Sequence, residues 1–210
     1  MSSTETIQAL LFDLGGVVVD IDFRRAFNHW APYSALSPED MALRFDYDIA
    51  FQRFERGETP AQDYFTELQR RFEISSQDHM LPGWKSIIID VIPSTLATLY
   101  ALRQTHPKLP LYAFTNINEV HKAHLLTHYP QVLNAFDQVF YSSDMGMRKP
   151  EERAFRYVSD TIHTPVQHIL FMDDLISNVE GARQSGLHAE MITKPADVQQ
   201  ALAKFGIRSD

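Results

Sequence analysis

The sequence predicts an α/β fold, a mostly parallel sheet with helices on both faces and a small helical segment spliced into it. Three observations carry this. Short, continuous apolar runs recur along the chain, and strands apolar on both faces suit a parallel sheet buried between helices. Helix-like stretches alternate with those runs, the pattern of a doubly wound fold. From about Asp22 to about Ile89 the alternation stops, and helix signals appear without a convincing strand run.

The elements follow in order. Ala9-Leu10-Leu11-Phe12-Asp13 reads as the first buried strand. Within the strand-poor stretch, Ser37-Pro38-Glu39-Asp40 reads as an N-cap, a first-turn proline and early acids. Thr59-Pro60-Ala61-Gln62 reads as a second helix start, with Gln62 at the capping-box position, and Phe65, Leu68 and Phe72 follow at helical spacing. Further strands are expected at Leu109–Thr115, Gln138–Tyr141, His168–Asp173 and, more weakly, His188–Ile192. Helices are expected over Pro93–Gln104, Glu119–His128, Glu151–Thr161, Ser177–Ser185 and Ala196–Phe205, with Gly186 placed as a helix-ending glycine. The division expected is a core of residues 1–20 and 90–210 and a helical insertion of residues 21–89.

Composition narrows the function. The chain has 210 residues, room for a domain of roughly 140 residues and a small second module. Cysteine is absent, which removes disulfides, cysteine-ligated metal and thiol nucleophiles. The net charge of −8 argues against a nucleic-acid binder. The insertion is no basic docking module, with 8 basic and 11 acidic residues. Ahead of the first apolar run, Met1-Ser2-Ser3-Thr4-Glu5-Thr6 has no basic stretch, so no targeting segment is expected. The run Ile7–Val19, interrupted by Asp13, is too short and polar to span a bilayer. A cytoplasmic protein without membrane partners is expected, as monomer or homodimer.

In open α/β sheets, ligands bind beyond the carboxyl ends of the strands. The expected strands end in Asp13, in Thr115-Asn116 and in Asp173-Asp174, and Lys149 lies in the loop after another. In a parallel sheet these residues share one crevice. Each alone is ordinary turn or cap chemistry; together they are coherent. Three carboxylates need a cation, and oxygen ligands favour a hard ion such as Mg²⁺. A metal, an ammonium and a hydroxyl donor around an Asp nucleophile suit phosphoryl transfer. Gly15 and Gly16 would let backbone approach metal and phosphate.

These residues resemble a known family. Phe12-Asp13-Leu14-Gly15-Gly16-Val17-Val18-Val19-Asp20, Ala113-Phe114-Thr115-Asn116, Lys149-Pro150-Glu151, and Phe171-Met172-Asp173-Asp174 with Asn178 are similar to the four ordered motifs of the haloacid dehalogenase superfamily. The runs Asp20-Ile21-Asp22-Phe23, Glu55-Arg56-Gly57-Glu58, Gly83-Trp84 and Gly146-Met147-Arg148-Lys149-Pro150-Glu151 resemble bacterial α-glucose-1-phosphatase-type members. The resemblance implies a Rossmann-like core with a helical cap. It implies Asp13 as nucleophile and Mg²⁺ ligand, the Gly15 carbonyl and Asp173 as further ligands, and Asp174 supporting the metal's water shell or Lys149. Thr115, the Asn116 amide and Lys149 would hold the phosphoryl group of a small phosphorylated metabolite, with sugar phosphates, glucose 1-phosphate first, as the expected substrates.

One departure stands out. Phosphatases of this superfamily usually carry a second Asp two residues after the nucleophile, as general acid and base; here that position is Gly15. Three readings follow: a phosphatase whose leaving group needs little help or that uses another proton donor, a metal-independent 2-haloacid dehalogenase, or an inactive binding protein. The paired acids Asp173-Asp174 argue against the dehalogenase, and the intact Asp13, Thr115 and Lys149 against the inactive protein. Trp84 is the candidate for stacking on a sugar. Arg24, Arg25, Arg53 and Arg56 are candidates over the substrate, and His121 for the site entrance. His121, His124 and His128 share a helix face but lack an acid partner, so they read as a partly exposed helix rather than a transition-metal site. Phe45, Tyr47, Phe51 and Phe54 read as core of the insertion.

Overall fold

The computed structural model describes residues 6–209. The stretch Met1–Glu5, part of the segment read above for targeting, lies outside them. No helix among the described residues is long and apolar enough to cross a membrane.

Five strands form the main sheet: β1 (Ala9–Phe12), β4 (Leu111–Thr115), β5 (Gln138–Tyr141), β6 (Ile169–Asp173) and β7 (His188–Met191). Their order is β5-β4-β1-β6-β7, and every neighbouring pair is parallel. β1 lies at the centre, with Phe12 opposite Ala113 on one side and Met172 on the other. All five strands stand where the apolar runs placed them. The reason is visible in the packing, because side chains alternate between faces and both faces are covered. Leu10, Phe12, Leu111, Ala113, Leu170 and Met172 join one core cluster. It also takes in Leu99 and Leu102 of α6 (Pro93–Thr105) and Val198, Ala201 and Leu202 of α12 (Ala196–Lys204). Ala9, Leu11, Phe114, Ile169 and Phe171 point the other way. They meet Ala154, Phe155 and Val158 of α10 (Glu152–Thr161) and Val179 and Ala182 of α11 (Ile176–Gln184).

Between β1 and α6 the chain builds α1 (Arg24–Trp30), α2 (Pro38–Arg44), α3 (Ile49–Glu55), α4 (Ala61–Arg71) and α5 (Met80–Lys85). They enclose a third cluster of their own, rich in aromatics such as Phe27, Trp30, Phe54, Tyr64, Phe72 and Trp84. The indoles of Trp30 and Trp84 stack at 6.3 Å. A Cβ on Gly83 would lie 2.1 Å from Trp30 Nε1, so only glycine lets α5 approach α1 this closely. The Ser37 cap is present with its reciprocal partner Asp40. The Thr59 start is not: α4 begins after Pro60 without a side-chain cap. Gln62 instead hydrogen-bonds Gln77.

One element went unread. The chain leaves and re-enters the core through a two-stranded antiparallel ribbon of β2 (Val19–Ile21) and β3 (Ile88–Val91). β3 falls across the expected boundary at residue 89. It pairs with one strand only and its side chains are largely exposed, so it lacks the continuous apolar signature of the core strands.

Candidate active site

The carboxyl ends of β1, β4 and β6 bring four chemistries together. Asp13 follows β1 and is held by its own backbone N–H, which donates to Met172 O at 2.8 Å. The Leu14 N–H donates to Asp13 Oδ1 at 2.7 Å. Lys149 is fully buried, with Nζ 2.8 Å from Asp13 Oδ1 and 2.6 Å from Asp173 Oδ2. The Asn116 side chain fixes the lysine's backbone from both sides: its Nδ2 donates to Lys149 O, and the Lys149 N–H donates to its Oδ1, each at 2.9 Å. Asp173 is immobilised by Lys149, by Asn178 Nδ2 at 3.0 and 3.1 Å, and by the Leu175 N–H at 2.8 Å. Asp174 follows and faces the cavity.

A ligand oxygen from each of Asp13, Asp173 and Asp174 lies within 4.8 Å of the other two. One ammonium opposes three carboxylates here. Burial pushes the Asp13 carboxyl up to about 8, with Asp173 and Asp174 adding to the rise against the pull of Lys149. Burial, and then Asp173, push Asp174 up to about 6. Burial works against the Lys149 ammonium, but Asp13 and Asp173 outweigh it and hold its pKa above the usual value. Such crowded, all-oxygen acids fit a hard divalent cation, which would relieve their repulsion.

Gly16 has φ +73°, and a Cβ there would lie 2.2 Å from Asp174 Oδ2, so the loop needs glycine on both counts. Gly15, where the second Asp is missing, lies against the ribbon. A Cβ on it would meet Ile21 Cδ1 at 3.0 Å. An apolar side chain occupies the space next to the position where the family usually places its acid.

These groups open into a cavity of about 400 Å³ between the sheet edge and the helical insertion. Asp13, Gly15, Thr115, Asn116, Lys149, Asp174 and His121 all line it, as the sequence led one to expect, whereas Asp173 lies behind Lys149. Trp84 and Arg24 do not line it, and this corrects two expectations. Trp84 is 1% exposed, stacked on His121 and hydrogen-bonded through Nε1 to Asn118 Oδ1, so no face is free for a sugar. Arg24 is turned to solvent and paired with Asp22. Arg25, Arg53 and Arg56 are likewise spent on Ser86 O, Glu58 and Glu151. His121 is committed too: it donates through Nε2 to Trp84 O and accepts at Nδ1 from Asn118. Burial depresses its pKa to about 4, which keeps the ring neutral.

Tyr47, expected in the insertion's interior, is half exposed and lines the cavity; Phe51 keeps its place in the insertion's core and shows one side to the cavity, as do Phe23, Glu55 and Arg148. Arg148 Nε and Nη2 both bond Glu55 Oε2, at 2.9 and 2.8 Å. With the Arg56–Glu151 pair, this ties α3 to the Lys149 loop. The signal in the sequence was the pair of runs around Glu55-Arg56 and Arg148-Lys149, each holding half of two ion pairs.

A family model described as a haloacid dehalogenase-like hydrolase matches residues 7–186. A drimenol cyclase of Aspergillus calidoustus is 30% identical over 204 residues, 95% of this chain and 36% of that protein, so the chain spans about a third of that relative's length. A sesquiterpene phosphatase of Aspergillus oryzae is 24% identical, across 87% of this chain and 88% of that one. A D-ribitol-5-phosphate phosphatase of Bacteroides thetaiotaomicron is 23% identical, across 93% and 97%. Among solved structures, a haloacid dehalogenase family enzyme of Bacteroides thetaiotaomicron in complex with magnesium and inorganic phosphate aligns with a TM-score of 0.75 at 24% identity, covering 88% of this chain and 93% of that one. At that identity the likeness carries the fold.

Proposed function

The chain belongs to the haloacid dehalogenase-like hydrolase family, and from that premise we propose that it is a Mg²⁺-dependent phosphatase of small organic phosphomonoesters. The observation that carries this reading is Lys149 buried between Asp13 and Asp173, with Asp174 completing a three-carboxylate cluster at the cavity floor. Asp13, the Gly15 carbonyl and Asp174, which face the cavity, would hold the ion, whereas Asp173, expected as a ligand, is spent on Lys149, Asn178 and the Leu175 N–H and would act by fixing Lys149. When bound, it neutralises these acids and the phosphoryl oxygens.

The chain's own groups then divide the work. The Asp13 carboxylate attacks phosphorus, and the bond from phosphorus to the organic oxygen breaks. That oxygen takes a proton from solvent water as it leaves, since Gly15 supplies no acid. Water then attacks the phosphorus of the aspartyl phosphate, which frees inorganic phosphate and regenerates Asp13. Lys149 and Thr115, with the Asn116 backbone N–H, hold the phosphoryl oxygens, while the Asn116 side chain stays on the Lys149 backbone; a donor of this kind is worth roughly 10²–10³ in rate. Residues 21–89 act as the cap that covers the substrate and limits water.

Two substrate classes compete. Sugar phosphates, glucose 1-phosphate first, follow from the sequence resemblance, and one relative is a D-ribitol-5-phosphate phosphatase. An apolar alcohol phosphate is favoured by the cavity's aromatic and aliphatic lining, and another relative is a sesquiterpene phosphatase. A dehalogenase would leave the carboxylate cluster without purpose, and an inactive protein would have no need of a lysine buried against its nucleophile. The test is hydrolysis of an aryl phosphate in Mg²⁺. Turnover is expected, with loss on adding EDTA and in Asp13→Asn. Metal-independent halide release from 2-haloacids would overturn the reading.

A further inference from the structure

We infer that the substrate's organic part is an apolar chain, so that this enzyme takes phosphomonoesters of aliphatic alcohols in preference to those of sugars or polyols. The inference rests on the phosphatase reading above and adds what the cavity recognises.

The first observation is the lining beyond the phosphate site. Ile21, Phe23, Tyr47, Phe51, Ile117 and Leu125 converge there from the ribbon, the helical insertion and the loop and helix after β4. The second is exposure. Ile21, Tyr47 and Leu175 are 36%, 50% and 46% exposed, although each borders the cavity. Apolar side chains left open to water around one cleft mark a surface that an apolar ligand covers.

The third observation concerns the polar groups. Away from the carboxylate cluster and its lysine, the cavity offers Asp22, the Tyr47 hydroxyl, Glu55, Asn118, His121 and Arg148. Asp22 is taken by Arg24, through side chain and backbone. Arg148 is taken by Glu55. Asn118 caps its helix by accepting from the His121 N–H, and it also contacts Trp84 and the His121 ring. His121 is bonded at both ring nitrogens. Glu55 Oε2 takes Arg148 Nε and Nη2, which leaves Glu55 Oε1, Arg148 Nη1 and the Tyr47 hydroxyl as the open polar groups, fewer than a polyol's hydroxyls need. A polyol carries several hydroxyls, each a donor and an acceptor, and a site selective for one would present matching groups free to bond. Here a buried sugar would lose water at most of its hydroxyls without replacement, a penalty of roughly fivefold or more in affinity for each.

The test is a homologous series of ethyl, butyl, hexyl and octyl phosphate beside glucose 1-phosphate and ribitol 5-phosphate, assayed by phosphate release in Mg²⁺. Each methylene that enters the cavity should raise kcat/KM roughly fourfold, about 0.8 kcal/mol, until the space is filled. Hexyl phosphate should exceed glucose 1-phosphate, which has the same number of carbons. Ile21→Asn, at the partly open rim, should flatten the dependence on chain length. Binding of the same compounds to Asp13→Asn in Mg²⁺, followed by calorimetry, should show the same order without turnover. Equal or better performance by the sugar and polyol phosphates overturns the inference while leaving the phosphatase reading intact. If no phosphate is hydrolysed but the chain-length order persists in binding, the phosphatase reading falls and the apolar site stands. If neither assay depends on chain length, the inference is wrong.

Discussion

Lys149→Met should turn the site from a balanced cluster into a repulsive one. The lysine is fully buried, 2.8 Å from Asp13 and 2.6 Å from Asp173. Removing one partner of a buried ion pair strands the other charge, at a cost of roughly 3–5 kcal/mol. In a protein of about this size each kcal/mol lowers Tm by about 2–4 °C, so the variant should melt roughly 6–20 °C lower in EDTA. Two additions sharpen the reading. Mg²⁺ should recover part of the loss, because the cation supplies the missing positive charge to the same acids. Lys149→Met combined with Asp173→Asn should be less damaged than Lys149→Met alone, because one stranded carboxylate has gone. The assay is thermal unfolding of the unaltered protein, Lys149→Met, Asp173→Asn and the double variant, with and without Mg²⁺. An unchanged Tm for Lys149→Met in EDTA, or a double variant that simply sums the single losses, would refute the view that this lysine balances the cluster.

Other outcomes follow from the same geometry. The metal-free protein holds Asp13 at about 8, above its unfolded value of 3.8, so the folded state binds the extra proton between those limits. This group's contribution to stability therefore falls as pH rises through that window, and the Tm gain from Mg²⁺ should be larger near pH 8 than near pH 5. His121 has the opposite sign. Its folded pKa of about 4 lies below the usual 6.5, so its contribution is full above about pH 6.5 and is lost as pH falls towards 4, by up to ~3 kcal/mol. His121→Gln should remove that acid-side slope in denaturant titrations, whatever it does to stability at neutral pH. Gly16→Ala would drive a methyl into Asp174, so its apparent Mg²⁺ affinity in the phosphatase assay should drop about 10–100-fold, with recovery at high Mg²⁺. Gly15→Asp should gain less alone, because its Cβ crowds Ile21 Cδ1 at 3.0 Å, than with Ile21→Ala. A rise approaching ~10²–10⁴ with poor leaving groups would show that the missing acid limits turnover.

Much of this site was legible in the sequence because strand ends in a parallel sheet are fixed by the strands themselves. Leu10 to Phe12, Ala113 to Phe114 and Leu170 to Met172 are apolar on both faces, so the runs and their polar terminations could be read without structure. Asp13, Thr115 and Asp173 follow from that, and Lys149 from the motif in its loop. The helical insertion was less legible. Trp84 looked like a ligand-stacking residue because nothing in its local sequence tells that the Trp30 ring, 54 positions upstream, stacks on one side and His121 on the other. Phe51 and Phe54 are buried in the insertion's core as read, whereas Tyr47, just ahead of α3, carried the same aromatic signal and is half exposed at the cavity. β3 was hidden because two of its four residues, Ile89 and Asp90, are exposed, so no periodicity marked it.

The central claim is that Asp13 becomes covalently phosphorylated. Its most direct test is rapid acid quenching of the enzyme during turnover of a phosphomonoester in Mg²⁺, followed by peptide mass analysis. The account predicts a phosphoryl group on the peptide containing Asp13, formed within the first turnover, lost on longer incubation and absent from Asp13→Asn. Phosphorylation of another residue, or steady turnover with no covalent species and undiminished activity in Asp13→Asn, would contradict it.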